Sequence, residues 1–330
     1  MFPEVRLRRL RRTEPIRRML DAPMPGPERF MWPTFVLEGK GRREAIDSMP
    51  GQFRLSVDCL LEALKPVVDS GVGSVLLFGL ANETQKDACG SGAAAPNGAV
   101  QQAVAAIKQQ FPELVVAADV CVCAYTSHGH CGPLMDGDVE NDAALKMLTQ
   151  VACSLADAGA DMVAPSAMMD GQVQAIRSAL DGSGHAETLI MSYSTKFASS
   201  MYGPFREAEQ SAPSEGDRKG YQASYRNLRA ALRESELDEE EGADLLMVKP
   251  SLFYLDVLTR LREQTHLPLA AYNVSGEYAM LHATAQRGWG DLREMVRESI
   301  AAIDRAGADL LISYWANQYT DFFTNPSPKG

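Results

Sequence analysis

Apolar residues recur along the chain in two alternating rhythms, and that alternation predicts a repeating strand–helix architecture. Short runs in which nearly every position is apolar read as parallel strands buried on both faces. Eight such runs occur, near residues 33–37, 73–78, 114–119, 160–165, 188–194, 244–249, 268–273 and 308–314. Between them lie stretches with helical spacing, among them 54–69, 99–110, 141–157, 222–235, 251–264 and 291–306. One junction repeats: a helix ends in Gly-Ala-Asp and an apolar strand follows, at Gly159-Ala160-Asp161, Gly242-Ala243-Asp244 and Gly307-Ala308-Asp309. Glycine there supplies the left-handed residue that closes a helix.

Eight such units in about 300 residues predict an α/β fold of the (β/α)8 TIM-barrel type, with chemistry at the C-terminal ends of the strands. A doubly wound open sheet is the competing arrangement. No Gly-x-Gly-x-x-Gly follows the first strand, which counts against it. The expected organisation is an N-terminal arm over 1–30 that makes oligomer contacts, then a catalytic barrel over 31–330.

Composition adjusts this picture in two places. The net charge of −11 is uneven: residues 1–18 carry seven arginines against two acids, leaving the body strongly acidic. An acidic body disfavours nucleic acid as a partner, so the basic arm reads as a clasp for the acidic surface of a neighbouring subunit. The bland alternative is a frayed terminus. No apolar run approaches the length that spans a bilayer, and Met1–Leu20 lacks the apolar stretch of a secretory signal. A mitochondrial transit peptide is disfavoured by Glu4 and Glu14, so the expected localisation is cytoplasmic, with no membrane partner.

The strand tips carry the candidate chemistry. The fifth strand runs into Lys196 and the sixth ends at Lys249. Lysine seldom closes a buried apolar strand. Two on adjacent tips would face one another, each opposing protonation of the other, while burial acts in the same sense. Free amine near neutral pH is what imine chemistry on a carbonyl requires. The alternative is that each lysine reaches solvent or pairs with a carboxylate.

After the third strand come Cys121, Cys123 and Cys131, a Cys-x-Cys-x7-Cys spacing able to give three thiolates to zinc and leave a fourth position open. His128 and His130 offer further ligands or supporting donors, and small buried cysteines acting as hydrophobes are the plain alternative. The segment Phe197–Tyr221, which holds Tyr202-Gly-Pro-Phe205-Arg206, reads as a mobile lid in which Arg206 and Arg218 suit a substrate carboxylate; a solvated loop with incidental charges is the alternative. Tyr272, Ser275 and Tyr314 bring hydroxyls to the last two tips.

Taken together, several long stretches resemble the porphobilinogen synthase (5-aminolevulinate dehydratase) family, in its zinc-dependent form. They are Asp119 through Gly132, Ala164-Pro-Ser-Ala-Met-Met-Asp-Gly171, Ser192-Tyr-Ser-Thr-Lys-Phe-Ala-Ser199, Met247-Val-Lys-Pro250 and Val274-Ser-Gly-Glu-Tyr278. The resemblance covers nearly the whole chain. It implies a TIM barrel, a homo-octamer built from arm-swapped dimers, and condensation of two 5-aminolevulinate molecules to porphobilinogen with loss of two waters, on the route to haem.

It assigns the first imine to Lys249 and the second substrate to Lys196, with Asp119 and Ser166 beside them. Ser275 and Tyr314 are implied at the first substrate's carboxylate. Arg206, Arg218 and Gln222 are implied at the second, with Tyr202, Phe205 and Tyr272 completing the pocket. Cys121, Cys123 and Cys131 are the implied zinc ligands, and Glu234, in Arg233-Glu234-Ser235, an implied ligand of an allosteric magnesium.

One departure is Ala167, where the family usually has aspartate; this is expected to relax a hydrogen bond near the site. An imine-forming aldolase and an inactive zinc-binding barrel are the rival functions. The cysteine triad separates the aldolase, which needs no metal.

Overall fold

Eight parallel strands close on themselves in the computed structural model, which describes residues 4–214 and 216–324. The strands are β1 (Phe30–Val36), β2 (Ser74–Gly79), β3 (Val115–Val120), β4 (Met162–Pro165), β5 (Leu189–Lys196), β6 (Leu245–Lys249), β7 (Leu269–Asn273) and β8 (Leu310–Ser313). Each pairs with its neighbour in sequence, and β8 returns to β1 through Phe30↔Leu311 and Met31↔Ile312. The fold is therefore a TIM barrel, as its pattern predicts, and the open-sheet alternative is excluded.

The helices cover the barrel because their apolar positions fall on one face. Along Leu292–Arg305, for example, Val296, Ile300 and Ile303 are buried. Each side chain removed from water in this way is worth about 1.5–3 kcal/mol.

Several boundaries move. β1 begins at Phe30, not near 33, because Pro33 sits inside the strand, opposite Leu76, beyond the point where pairing with β8 stops. A proline without an N–H is tolerated where one edge has no ladder to serve. The helix expected from 54 begins at Val57, since Phe53–Leu55 pairs antiparallel with Arg43–Ala45. The helix expected over 222–235 runs instead over Leu228–Glu240, where the Asn227 side chain caps Ala230 N, while Ala223 bridges to Phe197 at the tip of β5.

The lid segment is not all loop. It contains a turn of 3-10 helix at Ser200–Tyr202 and a short α-helix, Gly203–Glu209.

In the arm, Leu7–Arg11 and Glu14–Leu20 form short helices that bury no residue, leaving Val5, Leu7, Leu10, Met19 and Leu20 exposed. Arg29 ties the arm's end to the barrel by an ion pair with Asp304 at 2.7 Å. Residues 1–3 of the expected arm, Glu215 of the lid and residues 325–330 of the expected barrel domain lie outside the described residues. No described helix is long and apolar enough to cross a membrane.

Candidate active site

The site is built from a one-residue irregularity between β5 and β6. Leu245 and Leu246 pair with Met191 and Ser192, but Val248 and Lys249 pair with Thr195 and Lys196. β5 thus carries one extra residue, a bulge, which reverses the in–out alternation beyond it. Ser192 and Ser194 point outward, to Asp238 and Ser235 of the covering helix. Lys196 follows two residues after Ser194 and would point outward as well in a regular strand. With the bulge it turns inward, level with Lys249.

The two amines meet different surroundings. Lys249 Nζ sits among ring faces, 4.3 Å from the centroid of Tyr272, 4.7 Å from Phe205 and 4.9 Å from Tyr193, with Tyr202 at 5.5 Å and Phe78 at 5.7 Å. Burial, then the charge of Lys196, bring its ammonium down to about 7. Lys196 Nζ donates to the carbonyl of Ser166 at 2.6 Å. Ser166 therefore meets Lys196 through its backbone. Ala167 beside it is fully buried in apolar surroundings.

Asp119 lines the same narrow cavity, together with Cys123, Ser166, Arg206, Glu209 and Arg218. Burial, then Glu209, push its carboxyl up to about 7. Its Oδ1 makes no close hydrogen bond, and neither do Nε of Arg206 and Nε of Arg218. Buried polar atoms usually find partners, so such a cluster marks a place built to receive a polar ligand.

The three cysteines are buried, and their sulfurs lie within 4.8 Å of one another. Hydrogen bonds from Cys121 and Cys123 hold the Cys131 thiol well below its usual range, and the same contacts push Cys121 up. Tetrahedral zinc places its sulfurs about 3.8 Å apart, inside that limit, which suits the set to a thiophilic ion. The fit is chemical as well: burial opposes the charge of Arg218, but Cys131 and Cys123 more than restore it.

The two histidines stand outside this cluster. His130 Nδ1 meets the Tyr221 hydroxyl at 3.1 Å, and His128 Nε2 meets the Ala88 carbonyl at 3.1 Å.

The lid and the seventh strand meet at Ser275, whose Oγ accepts from Phe205 N at 2.9 Å. Gly276 permits this approach, since a Cβ there would run into the Met201 backbone. Tyr272 and Tyr314 join through their hydroxyls at 3.1 Å. Tyr202 donates to the Lys249 carbonyl at 3.0 Å. Arg218 donates to the carbonyls of Gly129 and Ser211. Burial, then Arg218, lower the pKa of Arg206.

Two expected residues lie apart from this cavity. Gln222 and Glu234 line a neighbouring one of about 520 Å3, with Asp138, Asn141 and Asp170. Burial, then Asp170 and Glu241, push the Glu234 carboxyl up.

Two functional carboxylates escaped the sequence reading. Glu209 is buried at the end of the lid helix, where it accepts from Ser211 Oγ at 2.5 Å and lies 3.6 Å from Cys123 Sγ. Burial, then Cys123, push it up to about 8. Glu277, fully buried, accepts from Leu252 N, Val274 N and Asn273 Nδ2 at 2.8–2.9 Å, tying the loop after β6 to the tip of β7. Only Glu277 had a visible signal, a glutamate in the first turn of a helix.

Comparison with known proteins places this geometry. The family model for delta-aminolevulinic acid dehydratase matches residues 4–322. A delta-aminolevulinic acid dehydratase of Methanothermobacter thermautotrophicus is 52% identical over 317 residues, covering 96% of both chains. That of Synechococcus elongatus is 49% identical, covering 96% of this chain and 98% of its own. That of Escherichia coli is 49% identical, covering 94% and 95%. The crystal structure of the Toxoplasma gondii ME49 enzyme, solved in complex with the reaction product porphobilinogen, superposes with a TM-score of 0.94. It is 40% identical, over 99% of this chain and 96% of its own.

Proposed function

Since the chain belongs to the delta-aminolevulinic acid dehydratase family, we propose a division of labour among its residues for the family reaction, the condensation of two 5-aminolevulinate molecules to porphobilinogen with loss of two waters. The observation that carries it is the inward-facing pair Lys196 and Lys249, level on adjacent strands.

Lys249, held near neutrality by its aromatic cage, adds to the ketone of the first substrate. Loss of water gives an imine, which acidifies the adjacent carbon and permits the carbon–carbon bond to form. Asp119, also poised near neutrality, carries protons to and from the reacting atoms. Ser275 and Tyr314 receive the first carboxylate, beside Tyr272. Lys196 holds the second substrate, whose carboxylate satisfies Arg206 and Arg218. Ser166 orients Lys196 through its carbonyl. The new carbon–carbon bond forms at the second substrate's carbonyl carbon, whose oxygen leaves as the second water; that substrate's free amine then attacks the Lys249 imine carbon, which closes the ring and releases the lysine.

The space enclosed by these side chains is only about 10 Å3, room for roughly one water. Tyr202 and Phe205 on the lid must therefore withdraw to admit substrate and return to exclude water. The three cysteines would hold zinc, which when bound supplies a Lewis acid for the second substrate's carbonyl or amine.

Three further parts of the reading rest on support outside the barrel mouth. The arm's exposed apolar and arginine side chains support docking on a second copy, within a homo-octamer of arm-swapped dimers in the cytoplasm. Gln222 belongs with the second substrate through the lid that carries it. Glu234, facing Asp170 and Glu241, is the proposed magnesium ligand.

Borohydride added with 5-aminolevulinate tests the central assignment. A mass increase on the peptide holding Lys249 is expected. An adduct confined to any other lysine overturns it.

A further inference from the structure

We propose that Glu209 is a fourth donor to the metal ion held by Cys121, Cys123 and Cys131, carried to it on the lid and displaced from that position when substrate takes it. The inference rests on the reading that those cysteines bind a metal.

Three observations meet at this residue. The side chain is 4% exposed and forms no ion pair among the described residues, so it is a buried acid with no cation bonded directly to it. Its Oε2 accepts from Cys123 Sγ at 3.6 Å; among the described residues only the three cysteines lie mutually within 4.8 Å, so a metal would draw the carboxylate further inward. In a tetrahedral zinc site with ordinary bond lengths, a sulfur and a carboxylate oxygen on the same ion stand about 3.5–3.7 Å apart. Lastly, Ser211 Oγ donates to that same oxygen, and Ser211 O in turn accepts from Arg218 at 2.6 Å. The carboxylate is thus oriented by a partner of its own, as ligating carboxylates are.

Charge also favours the arrangement. Three thiolates and a carboxylate exceed a divalent cation by two negative charges, and the cations facing Glu209 are Arg218 and Lys196.

The position has a consequence for the lid. The helix that ends at Glu209 is anchored from the barrel side by Arg54, which donates to the carbonyls of Ala208 and Glu207 at 2.7 Å each. The next residue, Gln210, takes a left-handed turn, and its carbonyl accepts from Lys86 at 3.0 Å. The donor therefore arrives on a segment fastened to the barrel on one side and, through Arg218 and Ser214, to the carbonyls of Gly129 and His128 in the cysteine loop on the other. Metal binding would tighten that junction.

The test uses full-length protein and zinc or cobalt(II) alone. Glu209→Gln, which keeps size and hydrogen bonding, and Glu209→Ala are compared with the parent by competition against a chromophoric chelator. Zinc affinity is expected to fall about 10–100-fold, and the visible bands of the cobalt(II) form are expected to change shape and intensity with the loss of an oxygen donor. Unchanged affinity and unchanged bands in both variants overturn the proposal. A loss of affinity with unchanged cobalt bands also overturns it, because Glu209 would then act only through Cys123. If the parent itself binds no stoichiometric zinc, or binds it equally after Cys131→Ser, the underlying metal reading fails instead, and the two failures are told apart.

Discussion

Lys249 and Lys196 are the same residue type at the same height on adjacent strands, yet one sits among ring faces and the other is hydrogen-bonded to a backbone carbonyl. The Lys249 ammonium gains little from Tyr272, Phe205 and Tyr193 compared with the water it has lost, so burial dominates and the amine is released near neutral pH. Lys196 lines the same cavity but keeps a hydrogen bond to Ser166 O, with the Tyr193 ring at 5.5 Å. The difference teaches that a depressed lysine is made by what encloses it, and that the neighbouring lysine adds to the effect without causing it.

The largest break in this comparison is expected from Lys249→Ala, which should lower turnover on the order of 10³-fold or more and abolish the borohydride adduct. Lys196→Ala should also lose turnover but keep labelling at Lys249. Equal labelling of both lysines in the parent would erase the distinction between them.

Next in size is Cys131→Ser, expected to weaken metal binding by at least about 100-fold. Turnover should fall with it, while adduct formation at Lys249 survives. Chelation should reproduce the result, and full activity in the metal-free enzyme would contradict it.

The pH dependence sharpens the contrast. Imine formation needs the neutral amine. Below about 7 the rate of trapping at Lys249 should rise about tenfold per pH unit, and above it should level off. The direction follows from a depressed lysine pKa: raising pH removes the proton. Lys196→Met should move the midpoint upward, because a like charge is gone. An unmoved midpoint would show that the pair is electrostatically independent. The smallest effect is expected from Tyr272→Phe. Removing its hydroxyl from Tyr314 should raise KM about 3–10-fold, the value of one hydrogen bond, with kcat little changed.

The barrel and both lysines were legible in the sequence because buried parallel strands and a charged residue at the end of one are local signals. The cysteine triad was legible through its spacing. What could not be read were features made by contact between distant segments. Glu209 looks like any helix acid until the lid folds onto Cys123, 86 residues earlier in the chain. Gln222 closes the lid segment in sequence, and only folding sets it and Tyr221 on the cavity shared with Glu234, Asp138 and Asn141. The histidines between Cys123 and Cys131 invited a ligand role, but the loop spends them on Tyr221 and Ala88.

The extra residue in β5 has a consequence for anyone who would redesign the protein. Regularised to ideal pairing, the strand would be tidier by every local measure, and its ladder with β6 unbroken. The same repair would rotate Lys196 out among the covering helices, beside Ser235 and Asp238, and leave Lys249 alone in the barrel mouth. A stabilising search that scores strands by their regularity would thus, on the proposed division of labour, remove half of the reaction while reporting an improvement. Handling two copies of one small molecule here depends on a strand that miscounts by one.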